Sequence, residues 1–267
     1  MSPFVPPVPK PQPNRLSLLA RFVLARRNVL ELLRERNYSM KMGRFRFPGL
    51  DIVLANDPAL IRRILVDEAD NFPKAEMLRR TLEPAIGNGV FIANGAEWKR
   101  QRRMIDPAFD LSGLEELFPL MSEGVQAMLE RLGRLAPGAE IEADLEAAHV
   151  TADVIARTLC SVPLDRAEVA DMFGAFTRYQ DAAPAYGLFR AFSLPVSWTP
   201  TGRRIKRAAR DIRRIVEGFV RPRWDARQRG DADERSDVLK ALMEARDPAT
   251  GQGFTFEELV QQLIVLF

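Results

Sequence analysis

Cysteine and histidine are almost absent from this chain. Its 267 residues hold one of each, Cys160 and His149. A single cysteine excludes an intramolecular disulfide framework and a multi-cysteine zinc site, and it fits a reducing, cytoplasmic setting. Cys160 closes a helical run, with no second cysteine and no adjacent base to lower its pKa, and reads as a small buried residue. His149 lies beside an apolar stripe with no partner of its kind, which favours a structural role over metal ligation. Long apolar runs are missing too. Nothing reaches the roughly 18 uninterrupted apolar residues of a membrane-crossing helix, and the N-terminus is proline-rich rather than a charged-then-apolar signal. The net charge of +3 is too small to imply nucleic acid. There is no internal repeat and no low-complexity tract to suggest a second function.

The most informative stretch runs from Asn94 to Phe109, Asn-Gly-Ala-Glu-Trp-Lys-Arg-Gln-Arg-Arg-Met-Ile-Asp-Pro-Ala-Phe. It reads as one short helix. Asn94 and Glu97 have capping-box spacing, and Pro107 is expected to push Asp106 out of helical geometry and end the run. Residues four apart share a helix face, so Trp98, Arg102 and Ile105 line up, while Lys99, Arg100 and Arg103 point elsewhere, mostly to water. A guanidinium on an apolar face calls for an anion that its planar fork can grip, and the Trp98 indole supplies a second donor one turn away. Two readings stand at this point: a site for an anionic ligand, or a solvated arginine beside a core tryptophan.

Elsewhere the periodicity is mainly helical. Leu16 to Arg36 predicts a basic amphipathic helix after a proline-rich segment at 1–15. Arg44–Phe47 and Asp51–Ala55 predict a hairpin around Pro48-Gly49, and Asp57-Pro58 opens a helix with Leu60, Ile61, Ile64 and Leu65 on its face. Residues 75–93, broken by Pro84, Gly87 and Gly89, read as a loop. Helices follow over Leu114–Leu132, with Leu117, Met121, Val125, Met128 and Leu132 on one face, and from Asp144 as cap to Leu159, with Leu145, Ala148, Ala152, Ile155 and Leu159 buried. Aromatics with Pro184 and Pro195 suggest two helical pieces and an irregular joint over 165–200. Arg203–Phe219 is the most basic helix, open either to an acidic partner or nucleic acid or to a plain solvated outer face. Thr255 and Glu258 cap a last helix.

The pattern Gly95-x-x-Trp98-x-x-x-Arg102-Arg103-x-x-x-Pro107-x-Phe109 resembles the C-helix motif of cytochromes P450, and the flanking elements follow that family's order from the first helix to the start of the I helix. The resemblance implies a mainly α fold with a small β-sheet, a truncated P450-like domain over 16–267. It also implies a haem b cofactor, with Trp98 and Arg102 hydrogen-bonding a haem propionate. The implied activity of the full-length form is haem-thiolate monooxygenation. It would hydroxylate a small organic substrate with O2, using electrons from a ferredoxin-type or flavoprotein partner, in a soluble protein of the bacterial type with no nucleic acid and no membrane among its partners. Residues 75–93 correspond to the loop over the haem, and 165–200 to a lid over the substrate entrance. The oxygen-activating Ala-Gly-x-x-Thr, the Glu-x-x-Arg and the cysteine-bearing haem loop are not among these residues, so no catalytic residue and no metal ligand are assigned and the chain is expected to be inactive alone. Leu263, Val265, Leu266 and Phe267 are expected to be left exposed. The competing reading is a non-catalytic helical binding protein that uses its basic faces near Arg100 and Arg207.

Overall fold

The computed structural model describes residues 11–12, 33–47, 50–191 and 199–267. The chain divides into two compact units, Met1–Phe72 and Pro73–Phe267. The amphipathic helix expected from Leu16 lies outside the described residues, apart from its last positions. There Gln12 and Arg34 form a parallel bridge, and a separate short helix, α1 (Glu35–Ser39), begins.

The first unit is built on the expected hairpin. Strands β1 (Met42–Phe47) and β2 (Leu50–Ala55) pair antiparallel, with Met42 opposite Ala55 and Phe45 opposite Ile52. Arg44 grips Asp51 of the opposite strand through two bonds of 2.9 Å from Nε. Asp57 then caps α2 (Pro58–Arg62) by accepting from the Ala59 and Leu60 amides at 2.9 and 3.4 Å, and Pro58 takes a first-turn position where its missing N–H is harmless. The proposed α2 stripe is not a buried one: the chain widens into a π turn at Arg63–Asp67, Leu60 and Ile64 are half-buried, and Ile61 and Leu65 stay exposed.

The second unit is a helical assembly of α3 (Glu76–Ile86), α4 (Gly95–Ile105), α5 (Leu111–Gly133), α6 (Ala143–Cys160), α7 (Arg166–Ala191), α8 (Pro200–Gln228), α9 (Val238–Glu244) and α10 (Phe256–Leu266). α8 packs against α7, α3 and α10, and α5 packs against α6. The core stripe of α8 is Ile205, Ile212, Val216 and Val220, all buried, meeting Leu259 and Leu263 of α10 and Leu239 and Leu242 of α9. Each such side chain contributes about 1.5–3 kcal/mol of transfer free energy.

Several elements differ from the sequence expectation. Residues 76–86 form a helix despite Pro84, which has no N–H to give the Arg80 carbonyl and is followed by only two more helical residues; Leu78, Leu82, Ala85 and Ile86 carry the helical spacing. Pro184 lies inside α7 without ending it, and residues 192–198, which include Pro195, are outside the described residues. α6 starts behind Glu142, with Asp144 in its first turn rather than at its cap. Its buried face includes Ala152 and Leu159 of the expected stripe but extends beyond it. Leu145 is exposed, whereas Glu146 and Asp153 are buried, Glu146 held by Arg131 at 2.7 Å and Asp153 accepting from the Leu164 amide at 2.7 Å and from Arg157 at 3.0 Å. Polar residues satisfied in this way occupy inward positions that apolar periodicity cannot mark.

α10 starts as expected, with the Thr255 hydroxyl accepting from the Glu258 amide at 3.2 Å and Glu258 accepting from the Thr255 amide at 2.8 Å. Its end does not. Leu263 is fully buried, Val265, Leu266 and Phe267 are half-buried, and Phe267 stacks on Phe219 with ring centroids 6.0 Å apart.

Candidate haem-propionate site

α4 is the element on which the candidate site rests. Its start is organised by Lys74, which sequence reasoning missed. The Asn94 side chain does not cap the helix. Instead it accepts from the Lys74 amide at 2.8 Å and donates to the Lys74 carbonyl at 3.2 Å. The Lys74 ammonium donates to the Val90 and Ala93 carbonyls, both at 2.8 Å, and lies 5.4 Å from the centroid of the Trp98 ring. Partial burial lowers the Lys74 pKa. Glu97, freed from the cap, accepts from Arg100 at 2.9 Å and from Gln101 at 2.7 Å. The only sequence signal for Lys74 was the Phe72-Pro73-Lys74 stop.

The loop from Gly87 to Ala93 is pinned between α4 and α10. Gln261 accepts from the Asn88 amide at 3.0 Å, Gln262 accepts from the Val90 amide at 2.9 Å, and Gln101 donates to the Asn88 carbonyl at 2.9 Å. Gly87 has a positive φ of 55°, and a Cβ there would lie 2.3 Å from the Gln261 Cδ, so only glycine fits.

The remaining α4 cations are not simply solvated. Arg100 is partly buried and bridges Glu97 and Glu258, and Arg103 bonds the buried carboxylate of Asp247 at 2.9 Å. The Arg103 guanidinium, followed by hydrogen bonds from the Ala249 amide and Thr250, lowers the Asp247 pKa. Asp106 keeps helical geometry, φ −51° and ψ −40°, and the chain continues into a 3-10 turn at Asp106–Phe109 instead of stopping. That continuation gives Arg102 a local carboxylate. Its Nε lies 2.6 Å from Asp106 Oδ1, although both side chains remain more than half exposed. An exposed i, i+4 pair of this kind is worth only about 0.3–0.5 kcal/mol, so a better anion displaces it readily. Trp98 is half-buried, and among the described residues no acceptor meets its indole N–H. Ile105, on the same side by spacing, is buried in the core.

This element order, with a hairpin, a loop pinned over α4 and the long helix α7 ahead of α8, carrying Trp-x-x-x-Arg on α4, is matched by the family model described as Cytochrome P450 over residues 6–267. The chain belongs to the cytochrome P450 family. Among curated relatives it is 28% identical over 221 residues to cyclooctat-9-en-7-ol 5-monooxygenase of Streptomyces melanosporofaciens, covering 79% of this chain and 44% of that one. It is 24% identical to cyclooctatin synthase of the same organism over 95% of this chain and 54% of that one. It is 27% identical to cytochrome P450 72A11 of Arabidopsis thaliana over 81% and 42%. The crystal structure of the cytochrome P450DA heme domain superposes with a TM-score of 0.66 at 20% identity, over 86% of this chain and 49% of that one, which establishes the P450 fold. The chain spans about half the length of the curated relatives it matches.

The two residues of special chemistry take structural places in this P450 half. Cys160 is fully buried, and burial, followed by the Asp237 charge, pushes its thiol up to about 12. His149 is buried with Nε2 3.2 Å from the Leu164 carbonyl, while Nδ1 has no partner. Among the described residues no group of three or more histidine, cysteine or acidic side chains is placed to hold a metal, and no helix is long and apolar enough to cross a membrane.

Proposed function

We propose that this chain is the N-terminal portion of a haem-thiolate monooxygenase, and that Trp98 and Arg102 hold a propionate of haem b. The observation that carries the assignment is the pairing on α4 of an indole N–H lacking an acceptor with a guanidinium held only by an exposed Asp106. The two lie one turn apart, and together they offer the planar fork and the single donor that a carboxylate accepts. Bound there, the haem would supply the O2 chemistry that lies beyond any side chain.

The residues of this chain would then orient and enclose. Lys74 fixes the start of α4 and so the direction of Trp98. Arg100 and Arg103 tie the helix to α10 and to the loop around Asp247, so that α4 is held at both ends and Arg102 remains available. Gln101, Gln261 and Gln262 keep the 87–93 loop in place over the same helix as a wall against water. The substrate is a small organic molecule, and the electrons come from a ferredoxin-type or flavoprotein partner, in the cytoplasm.

By itself the chain is inactive in this reading. A thiolate ligand is required, and the only cysteine is fully buried and protonated. The test is spectroscopic: the haem-supplemented chain is reduced under carbon monoxide and its Soret band recorded. The expected spectrum is of the free-haem or imidazole type, with no substrate turnover. A red-shifted thiolate band that disappears in Cys160→Ser would overturn the reading.

A further inference from the structure

Between α3 and α8 lies an open groove of about 660 Å³, lined by Pro84, Arg203, Lys206, Arg207, Ala209, Arg210 and Arg213. Five cations face it and no carboxylate lines it. Elsewhere in the second unit many arginines come with acids, among them Arg79 with Glu76 and Glu83, Arg131 and Arg166 with Glu146, and Arg223 with Asp233 and Asp237. Here Arg213 is paired in that way, with Glu217 and Glu257 at one end of the groove. Arg210 donates only to the Lys206 carbonyl of its own helix, and among the described residues neither Lys206 nor Arg207 has a carboxylate partner. Like charges three and four residues apart on a helix repel, which destabilises the helix unless something anionic sits among them.

We propose that this groove is a binding site for an oligophosphate. Arg203, then Lys206 with Arg207, then Arg210 occupy successive turns of α8, about 5 Å apart along the axis, so a single phosphate engages one turn while a chain of phosphates engages all three. The guanidinium forks suit phosphate oxygens in pairs. The volume lies within the roughly 300–1,000 Å³ of small-molecule sites. A lipid surface fits poorly, since none of the large exposed apolar side chains lies on α8. A long nucleic acid fits poorly as well, because Asp211, Glu217 and Glu257 border the cationic surface and the chain carries only +3 overall. The site is independent of the haem assignment.

The experiment is calorimetric titration of the full polypeptide with inorganic triphosphate, at about 20 mM and about 150 mM salt. The variants are Arg207→Gln with Arg210→Gln and, as a charge-matched control, Arg62→Gln with Arg134→Gln, all at exposed positions. The expected result is saturable one-to-one binding, weakened about tenfold by the groove pair and less than about twofold by the control pair, with monophosphate much weaker than triphosphate. Equal weakening by both pairs, binding without saturation, or equal affinity for monophosphate would overturn the proposal. So would tighter binding to a duplex oligonucleotide or to phosphatidylglycerol vesicles, which would make the groove part of a macromolecular surface.

Discussion

α10 and α5 are both amphipathic helices of the second unit, and their surroundings are opposite. Leu259, Val260, Leu263 and Ile264 of α10 are buried against α8, α9 and α3, and the chain ends with Phe267 stacked on Phe219. On α5, Leu117 is buried, but Leu114, Phe118, Val125 and Leu129 are exposed. Their spacing of four, seven and four residues puts them on one stripe of the helix, about 22 Å long. Sequence reasoning gave α10 the bare end and grouped Val125 of α5 with Leu117, Met121, Met128 and Leu132 on one apolar face, of which Val125 alone is exposed. What separates the two helices is partners rather than apolar content: α10 sits among several helices, while α5 packs chiefly on α6. The chain covers about half the length of its relatives, and within the second unit an uncovered apolar stripe runs along α5.

The largest effect separating these regions is expected in the core. Leu263→Ala should cost about 2–5 kcal/mol, the range for deleting a buried leucine, read as a lower urea midpoint. A loss under about 0.5 kcal/mol would show that α10 is not packed as described. Next comes Cys160, at the α6 end of the same core. Its folded thiol titrates near 12 and its ordinary value is 9.0, so the folded state keeps a proton that the unfolded chain releases above pH 9. The associated stability is complete below pH 9 and is lost as pH rises toward 12, by up to about 1.4 kcal/mol per pH unit. Urea midpoints at graded alkaline pH should fall more steeply for the wild type than for Cys160→Ala. Parallel slopes would place the thiol in water. The smallest effect belongs to α5, where Phe118→Ser with Leu129→Ser should change stability by less than about 0.5 kcal/mol per site and raise the solubility limit. A loss above about 2 kcal/mol would mean that this stripe is covered.

The elements most legible in the sequence were those whose signals are local. Asp57-Pro58 and Thr255-x-x-Glu258 are self-contained caps, and both form as read. Asn94-x-x-Glu97 has the same spacing and does not form, because Lys74, twenty residues earlier, takes the asparagine, and Arg100 and Gln101 take the glutamate. The buried face of α6 was legible at Ala152 and Leu159 but not at Glu146 and Asp153, which are made inward-facing by Arg131, Arg157 and the Leu164 amide, partners that no periodicity encodes. At the candidate site the sequence placed Trp98 and Arg102 one turn apart. It did not show that Asp106 would remain helical and reach Arg102.

The central claim is that the Arg102 guanidinium leaves Asp106 for a haem propionate. Its most direct test is the rate at which the full-length holoprotein loses haem to an excess of an apo-haem protein, compared between Arg102→Ala and the exposed control Arg134→Ala. The account predicts haem loss about tenfold faster in Arg102→Ala and unchanged in Arg134→Ala, as removal of a charge-assisted pair to the cofactor requires. Equal rates in the two variants would contradict it and leave Arg102 as a surface partner of Asp106.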